Sequence, residues 1–312
     1  MSPCAKSLPL SVRTAAAVSA HRVKVMRTER SALTLTRTLA ILAGGGFFPR
    51  EVARHARQHG YQPVFFALKG FADRGLGDEA ETIWVDLLKP QELLAQLKKR
   101  QPYGLVLAGH VRRPGPHVLF SAFQQFKQST DLLSLLAQGD DHLLRGALAA
   151  LENEGLKILG IDEVAPSLLC PAGTLGTIPP DDAYLKMIAT GFGLLRALSP
   201  YDCGQAAVIE GSRILAIEGP EGTDQMLKRC RPRFNWFGQD ARVFTRLFVK
   251  AAKQGQDRRA DLPAVGPRTI DACVRAGISG LALQAGSVLL IEREAMVARA
   301  NEKGVFITGV KT

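Results

Sequence analysis

A short apolar run followed at once by three glycines constrains the fold of this chain more than any other feature. The run extends from Leu39 to Ala43, and Gly44, Gly45 and Gly46 follow it. A pattern with apolar residues on one side and arginines on the other then begins, which is typical of a surface helix. Strand, glycine turn and helix together form the start of a βα unit. The sequence therefore predicts an α/β protein that opens with a Rossmann-like parallel sheet.

Predicted strands and helices alternate along the rest of the chain. In the first half we expect strands at 62–68, 82–85, 105–108 and 157–160, with helices at 90–100 and within 121–154. In the second half we expect helices at 182–197, 269–276 and 294–303, and strands at 206–210, 214–218, 244–252, 280–285, 287–291 and 305–308. The short spacing between 206–210 and 214–218 indicates a hairpin. The second half is therefore predicted to be mixed α/β rather than purely parallel.

Composition divides the chain into three segments. Residues 1–37 carry seven basic residues and one acidic residue, and Met26 offers an internal start. We interpret this segment as a disordered or mis-started tail that takes no part in the chemistry. Proline and glycine cluster at 166–180, which is typical of a boundary. The prediction is a Rossmann-like domain at 38–168 and a catalytic α/β domain at 169–312.

Charge and cysteine content exclude several functional classes. The net charge is +11, of which the tail supplies 7 − 1 = +6, and the body therefore +5. A mildly basic body suits an anionic ligand, whereas a basic stripe with interleaved aromatics, expected for nucleic-acid binding, is missing. No apolar run is long enough to cross a membrane, although peripheral membrane contact and homo-oligomerisation stay open. Five scattered cysteines without a C-x-x-C pair favour a reducing, cytoplasmic compartment.

The glycine loop is the first candidate ligand site. A dinucleotide fingerprint needs a third glycine where this chain has Pro49, so bound NAD is not expected. The N–H groups of Gly44, Gly45 and Gly46 could still hold a phosphate, or the loop could be a tight turn and nothing more. Arg112 and Arg113 follow another predicted strand. There they could donate paired hydrogen bonds to phosphate oxygens, or they could simply be solvated.

A charged loop from Lys250 to Pro263 is the second candidate. Its basic and amide side chains could neutralise a diphosphate, and its acids could hold Mg²⁺ or orient water. The alternative is a solvated loop without function. The candidate ligands of the phosphates are Lys250, Lys253, Gln256 and Arg258, and the candidate acids are Asp257 and Asp261. Thr223 and Asp224, which begin a predicted helix, either join this site or cap the helix.

Seven motifs in order resemble one enzyme family. They are Leu-Ala-Gly-Gly-Gly from Leu42, Ala-Gly-x-Val-x-Arg-Pro at 108–114, Gly-Asp-Asp-x-Leu-Leu-Arg at 139–145, Glu-Gly-Thr-Asp-x-Met-Leu at 221–227, Gln-Asp-x-Arg-x-Asp-Leu-Pro at 256–263, Val-Gly-Pro-x-Thr-Ile at 265–270 and Gly-x-Phe-x-x-Gly at 304–309. Over residues 38–310 the chain resembles the UDP-2,3-diacylglucosamine diphosphatases of lipid A synthesis, the type unrelated to metallophosphoesterases.

The resemblance implies a substrate, a cofactor and a set of residues. It implies hydrolysis of UDP-2,3-diacylglucosamine to UMP and 2,3-diacylglucosamine 1-phosphate (lipid X), with Mg²⁺ required. It implies that Asp261 is the essential carboxylate. The residues themselves suggest that Asp261, with Asp257 or Asp224, anchors Mg²⁺, and which acid is the base and which the ligand stays open. The resemblance also adds Asp140 and Asp141 to the candidate substrate ligands. One departure is Gln284, where the family usually has glutamate.

Two other functions stay open on the sequence alone. A Rossmann-type nucleotide-sugar oxidoreductase or epimerase would carry bound NAD, against which Pro49 argues. A non-catalytic UDP-sugar sensor would bind its ligand equally well without Asp261 and would release no UMP.

Overall fold

The computed structural model describes residues 37–111, 140–201, 203–232 and 245–312. Residues 37–312 form one compact unit. Within the described ranges it contains eight α-helices, a four-stranded sheet, a six-stranded sheet and a small two-stranded sheet. This arrangement confirms the predicted α/β class. The predicted tail at 1–37 lies outside the described residues, except for Arg37.

The first sheet is entirely parallel, as the sequence predicts. Its strands are β1 (Arg37–Ala43), β2 (Tyr61–Leu68), β3 (Thr82–Val85) and β4 (Gly104–Ala108), in the order β3-β2-β1-β4. The helices of this half are α1 (Phe48–Gln58), α2 (Pro90–Arg100), α3 (Asp140–Asn153) and α4 (Ile161–Val164). Because β1 and β4 are parallel neighbours, their carboxyl ends meet at one edge. Gly44–Gly46 therefore lies against Gly109 and His110.

The second sheet is mixed and has the order β5-β12-β10-β8-β6-β7. Strands β8 (Arg246–Lys250), β10 (Gly280–Gln284) and β12 (Phe306–Val310) are parallel, whereas β5 (Gly173–Thr174) and the hairpin of β6 (Ala206–Glu210) and β7 (Arg213–Ile217) pair antiparallel. The helices are α5 (Asp182–Leu198), α6 (Thr223–Arg229), α7 (Pro267–Arg275) and α8 (Arg293–Glu302). This sheet confirms the mixed topology expected of the second half.

Two predicted strands are wrong in extent. Residues 157–160 make only one bridge, from Ile158 to Leu105 of β4, because the chain turns at Gly160 into α4. Residues 287–291 contribute only β11 (Leu289–Leu290), which pairs with the short strand β9 (Ala264–Val265). In both cases a continuous apolar run overstated how much backbone is paired, since burial alone also produces such a run.

The buried core on the first sheet also contains residues from the second half of the chain. Leu262 and Leu289 belong to the same buried cluster as Ile41 and Val106. Burying one leucine side chain contributes about 1.5–3 kcal/mol to folding. The far end of the charged loop is thereby anchored against the first sheet, one residue after Asp261.

Candidate functional site

The site begins where β8 ends. All five residues of this central strand are buried, and the last of them is Lys250 with 6% of its surface exposed. Its Nζ donates to the Thr223 hydroxyl at 2.7 Å, and that hydroxyl donates to Oε1 of Glu218 at 2.6 Å. A buried ammonium group thus reaches a carboxylate through one hydroxyl.

Burial and nearby acids act in opposite directions on this amine. Desolvation lowers the pKa of Lys250, while Glu218, Asp261 and Asp224 raise it. Buried charges of this kind are expensive to keep unless they are paired. Burial has the larger effect, so the pKa of Lys250 lies below its ordinary value despite the three carboxylates.

A second set of hydrogen bonds leads from Glu218 to Asp261. Oε2 of Glu218 accepts the backbone N–H of Gln205 at 2.9 Å. The Gln205 side chain donates to Oε1 of Gln256 at 2.9 Å, and Nε2 of Gln256 donates to Oδ2 of Asp261 at 2.8 Å. Asp261 is exposed, and its Oδ1 has no hydrogen-bond partner among the described residues. Gln256 therefore holds one of the two carboxylate oxygens.

The charged residues between Gln256 and Asp261 bind other parts of the protein. Asp257 accepts hydrogen bonds from the guanidinium of Arg259 (2.8 Å and 3.0 Å), and this contact lowers the pKa of Asp257. Arg259 also pairs with Glu152 of α3. Arg258 bonds to Asp162 of α4 at 3.0 Å. The predicted roles of Asp257 in metal binding and of Arg258 in substrate binding stay predictions, but Arg258 and Arg259 already tie the loop to the first half, and Asp257 holds Arg259.

The glycine loop is held by backbone hydrogen bonds. The N–H of Gly44 donates to the carbonyl of Ala108, and Gly45 exchanges two hydrogen bonds with His110. A Cβ at Gly45 would lie 2.8 Å from the Phe71 carbonyl and 2.9 Å from the His110 ring. Close backbone approach accounts for these glycines, and two of the three N–H groups predicted to hold a phosphate are bonded within the protein.

Several predicted site residues fall beyond what the structure describes. Arg112 and Arg113 lie outside the described residues, and the side chains of Asp140 and Asp141 do as well, although both residues begin α3. Lys253 follows β8, and its backbone N–H donates to Oε1 of Gln256 at 3.2 Å. Gln284 accepts the N–H of Ala252 at 3.0 Å and donates to Thr312, so it closes the start of the charged loop.

Two residues of this network were not among the sequence candidates. Glu218 precedes the glycine-rich turn into α6, where the sequence indicates acids within reach of a ligand without distinguishing Glu218 among them. Gln205 carries no pattern at all, since a lone glutamine before a strand is ordinary. Its importance arises only from the pairing of β6 with β8, which brings it beside the charged loop.

Two further observations concern metals and membranes. Among the residues that the structure describes, no three His, Cys, Asp or Glu side chains converge closely enough to hold a metal ion. Within the same ranges, no helix is long and apolar enough to span a bilayer.

Comparison with known proteins identifies the family. The LpxI N-terminal domain matches residues 38–168, and the LpxI C-terminal domain matches residues 171–308. This chain belongs to the LpxI family. The resemblance noted from the seven motifs is thereby confirmed.

A curated relative covers nearly all of the described fold. The UDP-2,3-diacylglucosamine pyrophosphatase LpxI of Caulobacter vibrioides is 33% identical over 274 residues, which is 88% of this chain and 98% of the relative. A solved structure of glycinamide-RNase-transformylase T from Mycobacterium tuberculosis aligns over 60% of this chain and 45% of its own, at 20% identity and a TM-score of 0.21. That second likeness is too low to inform on fold or function.

Proposed function

We propose that this LpxI chain hydrolyses the diphosphate of UDP-2,3-diacylglucosamine, giving UMP and 2,3-diacylglucosamine 1-phosphate for lipid A synthesis. The observation that carries the proposal is the exposed carboxylate of Asp261, held at one oxygen and linked by hydrogen bonds to the buried Lys250. The relative that bears this activity in its name matches the chain over the same region.

Phosphoanhydride hydrolysis requires a positioned water and compensation of phosphate charge. In this proposal the open Oδ1 of Asp261 orients the water or accepts its proton. Lys250 contributes positive potential at the strand end, where its charge is weakly screened because the side chain is buried. Lys253 and the segment with Arg112 and Arg113 then contact the phosphates, while the Thr223 hydroxyl, whose proton is donated to Glu218, holds Lys250.

The residues at this site suit Mg²⁺. The ion usually binds through one or two carboxylates, keeps several waters and takes its other ligands from substrate phosphates. The open oxygen of Asp261 and the exposed carboxylate of Asp224 offer that donor set on this chain. We leave Asp257 out of the set because Arg259 occupies both its oxygens. Bound Mg²⁺ would neutralise phosphate charge.

The substrate also bears on where the protein acts. A diacylated sugar lies in or near a membrane, so the protein must approach a lipid surface to reach it. We propose a cytoplasmic enzyme with peripheral contact to the inner membrane. Binding to vesicles that contain the substrate would measure this contact.

The direct test is to incubate purified full-length protein with UDP-2,3-diacylglucosamine and Mg²⁺ and to measure UMP. We expect UMP and the lipid 1-phosphate in equal amounts, with loss of turnover in excess EDTA and recovery after Mg²⁺ is restored. Binding of the substrate without UMP release would instead support the sensor. Reduction of added NAD, followed by absorbance, would support the oxidoreductase.

A further inference from the structure

The charged loop contains two glutamines with different surroundings. Gln254 is exposed, and its side chain makes no hydrogen bond with the described residues; only its backbone N–H bonds, to Ser199 at 2.6 Å. Gln256 is half-buried, and its amide makes three hydrogen bonds. Two residues of the same type, two positions apart, therefore differ in what their side chains do.

The orientation of the Gln256 amide is dictated by the backbone. The N–H of Lys253 can only donate, so the group that faces it at 3.2 Å must be the carbonyl oxygen Oε1. The same oxygen accepts from Nε2 of Gln205 at 2.9 Å, which fills its second lone pair. The amide nitrogen must then point the other way, where it lies 2.8 Å from Oδ2 of Asp261.

Gln205 is itself held in place. It lies directly before β6, and its backbone N–H donates to Glu218, directly after β7. Glu218 in turn accepts from Thr223, the partner of Lys250. The open end of the β6–β7 hairpin thus supports the amide that contacts Asp261, and a single path of hydrogen bonds joins Lys250 to Asp261.

We propose that Gln256, oriented by Gln205 and by the Lys253 backbone, is the positioning residue for the Asp261 carboxylate. The inference rests on the proposed hydrolase function. A neutral N–H donor fixes one carboxylate oxygen and leaves the negative charge of the carboxylate in place. A lysine or arginine at this position would neutralise that charge. The second oxygen then keeps a defined direction and its full capacity for water or Mg²⁺. A carboxylate mispositioned by about 1 Å can cost on the order of 10²-fold in rate.

The test compares four variants of the full chain by steady-state UMP release. Gln256→Leu removes the donor and should lower kcat by about tenfold or more while KM changes by less than about threefold, because the lost contact acts in the transition state. Gln205→Leu should lower kcat in the same direction by a smaller factor. The variant that combines Gln205→Leu with Gln256→Leu should have nearly the same kcat as Gln256→Leu alone, because both substitutions interrupt the same path of hydrogen bonds. Gln254→Leu is the matched control and should keep kcat.

Gln256→Glu supplies a readout that a purely structural role would not move. It has nearly the shape of glutamine but brings a second carboxylate against Asp261. Its kcat should be lowest at high pH and should recover towards the wild-type value as the pH falls and the introduced carboxyl takes up a proton, which restores a donor. This variant and Gln205→Leu decide the question if Gln256→Leu proves unstable.

The outcomes separate the two proposals. Wild-type kcat in both Gln256 variants would overturn the positioning role and leave the hydrolase intact. A raised KM with unchanged kcat would also overturn it, and would make Gln256 a substrate contact instead. Absence of UMP release by the wild-type protein would remove the hydrolase and the positioning role together.

Discussion

The glycine loop and the charged loop both follow strands of parallel pairs, yet they are built in opposite ways. In the glycine loop, the N–H groups of Gly44 and Gly45 bond to carbonyls at the end of β4. In the charged loop, side chains make the connections, from Gln256 to Asp261 and from Arg259 to α3. One loop contributes backbone shape, and the other contributes charge and hydrogen-bonding groups.

Substitutions in the glycine loop should affect stability, and substitutions in the charged loop should affect activity. In a loop held by close backbone contacts, a larger side chain overlaps with neighbouring atoms, and this destabilises the fold. In a loop whose contacts are made by oriented side chains, a substitution removes a charge or a hydrogen-bonding group and lowers activity, while the fold stays largely intact. Substitutions in the two loops should therefore separate kcat from the free energy of unfolding.

The largest expected effect is on Asp261. Asp261→Ala should lower kcat by about 10²-fold or more, because it removes an interaction that matters mainly in the transition state. The carboxylate is exposed and bonds to one side chain, so Tm should change little. UMP release and thermal unfolding of the same preparation measure both. Near-normal turnover would end the catalytic assignment.

Asp257 provides the matched aspartate for that experiment. It lies in the same loop but bonds to Arg259, in a pair that is partly exposed and worth only about 0–1 kcal/mol. Asp257→Ala should therefore lose much less turnover than Asp261→Ala and need the same Mg²⁺ concentration for half-maximal rate. An equal loss, with a higher Mg²⁺ requirement, would restore Asp257 to the metal site.

Lys250 should give the next largest effect. Lys250→Met keeps an unbranched side chain in a buried position but removes the cation, so kcat/KM should fall by about 10–100-fold if the charge offsets developing phosphate charge. Kinetics with Mg²⁺ held saturating isolate this loss. Turnover within about twofold of wild type would make the amine a structural partner of Thr223 and Glu218 only.

The glycine loop should respond in stability. At Gly45→Ala the new Cβ would meet the Phe71 carbonyl and the His110 ring, and overpacking of this kind costs about 1–3 kcal/mol. The matched control is Gly77→Ala, where a Cβ meets nothing within 4 Å. Denaturant unfolding should show a lower free energy of unfolding for Gly45→Ala and little change for Gly77→Ala. Equal stabilities would contradict the close-packed description of the loop.

The smallest effect concerns Glu51 of α1, whose carboxylate is 2% exposed and accepts the backbone N–H of Glu292. Burial raises the pKa of Glu51 above its ordinary value. The folded state then binds more protons than the unfolded state between the two pKa values, so stability falls as pH rises through that window. Glu51→Gln keeps an acceptor without the charge. Its Tm should match wild type at low pH and slightly exceed it at pH 8.

The sequence predicted most of the fold because its signals are local. Strands such as 82–85 and 206–210 lie where the apolar runs place them, and the glycines mark the first turn. It selected Asp261 only through the family resemblance. It could not reveal Gln205 or Glu218, because their roles depend on which strands become neighbours. The predictions for Arg112 and Arg113 concern residues outside the described part of the chain.

The burial of Leu262 has a consequence for how related chains can differ in length. Asp261 and Leu262 are adjacent, so a residue inserted or deleted between Gln256 and Leu262 would shift the carboxylate by up to about 3.3–3.6 Å relative to its anchor. Upstream, Gln254 and Gly255 are exposed, and Gly255 has a positive φ of 74° at a turn. Insertions and deletions tolerated in evolution should therefore collect at 254–255, while the spacing from the supporting amide to the buried leucine stays constant.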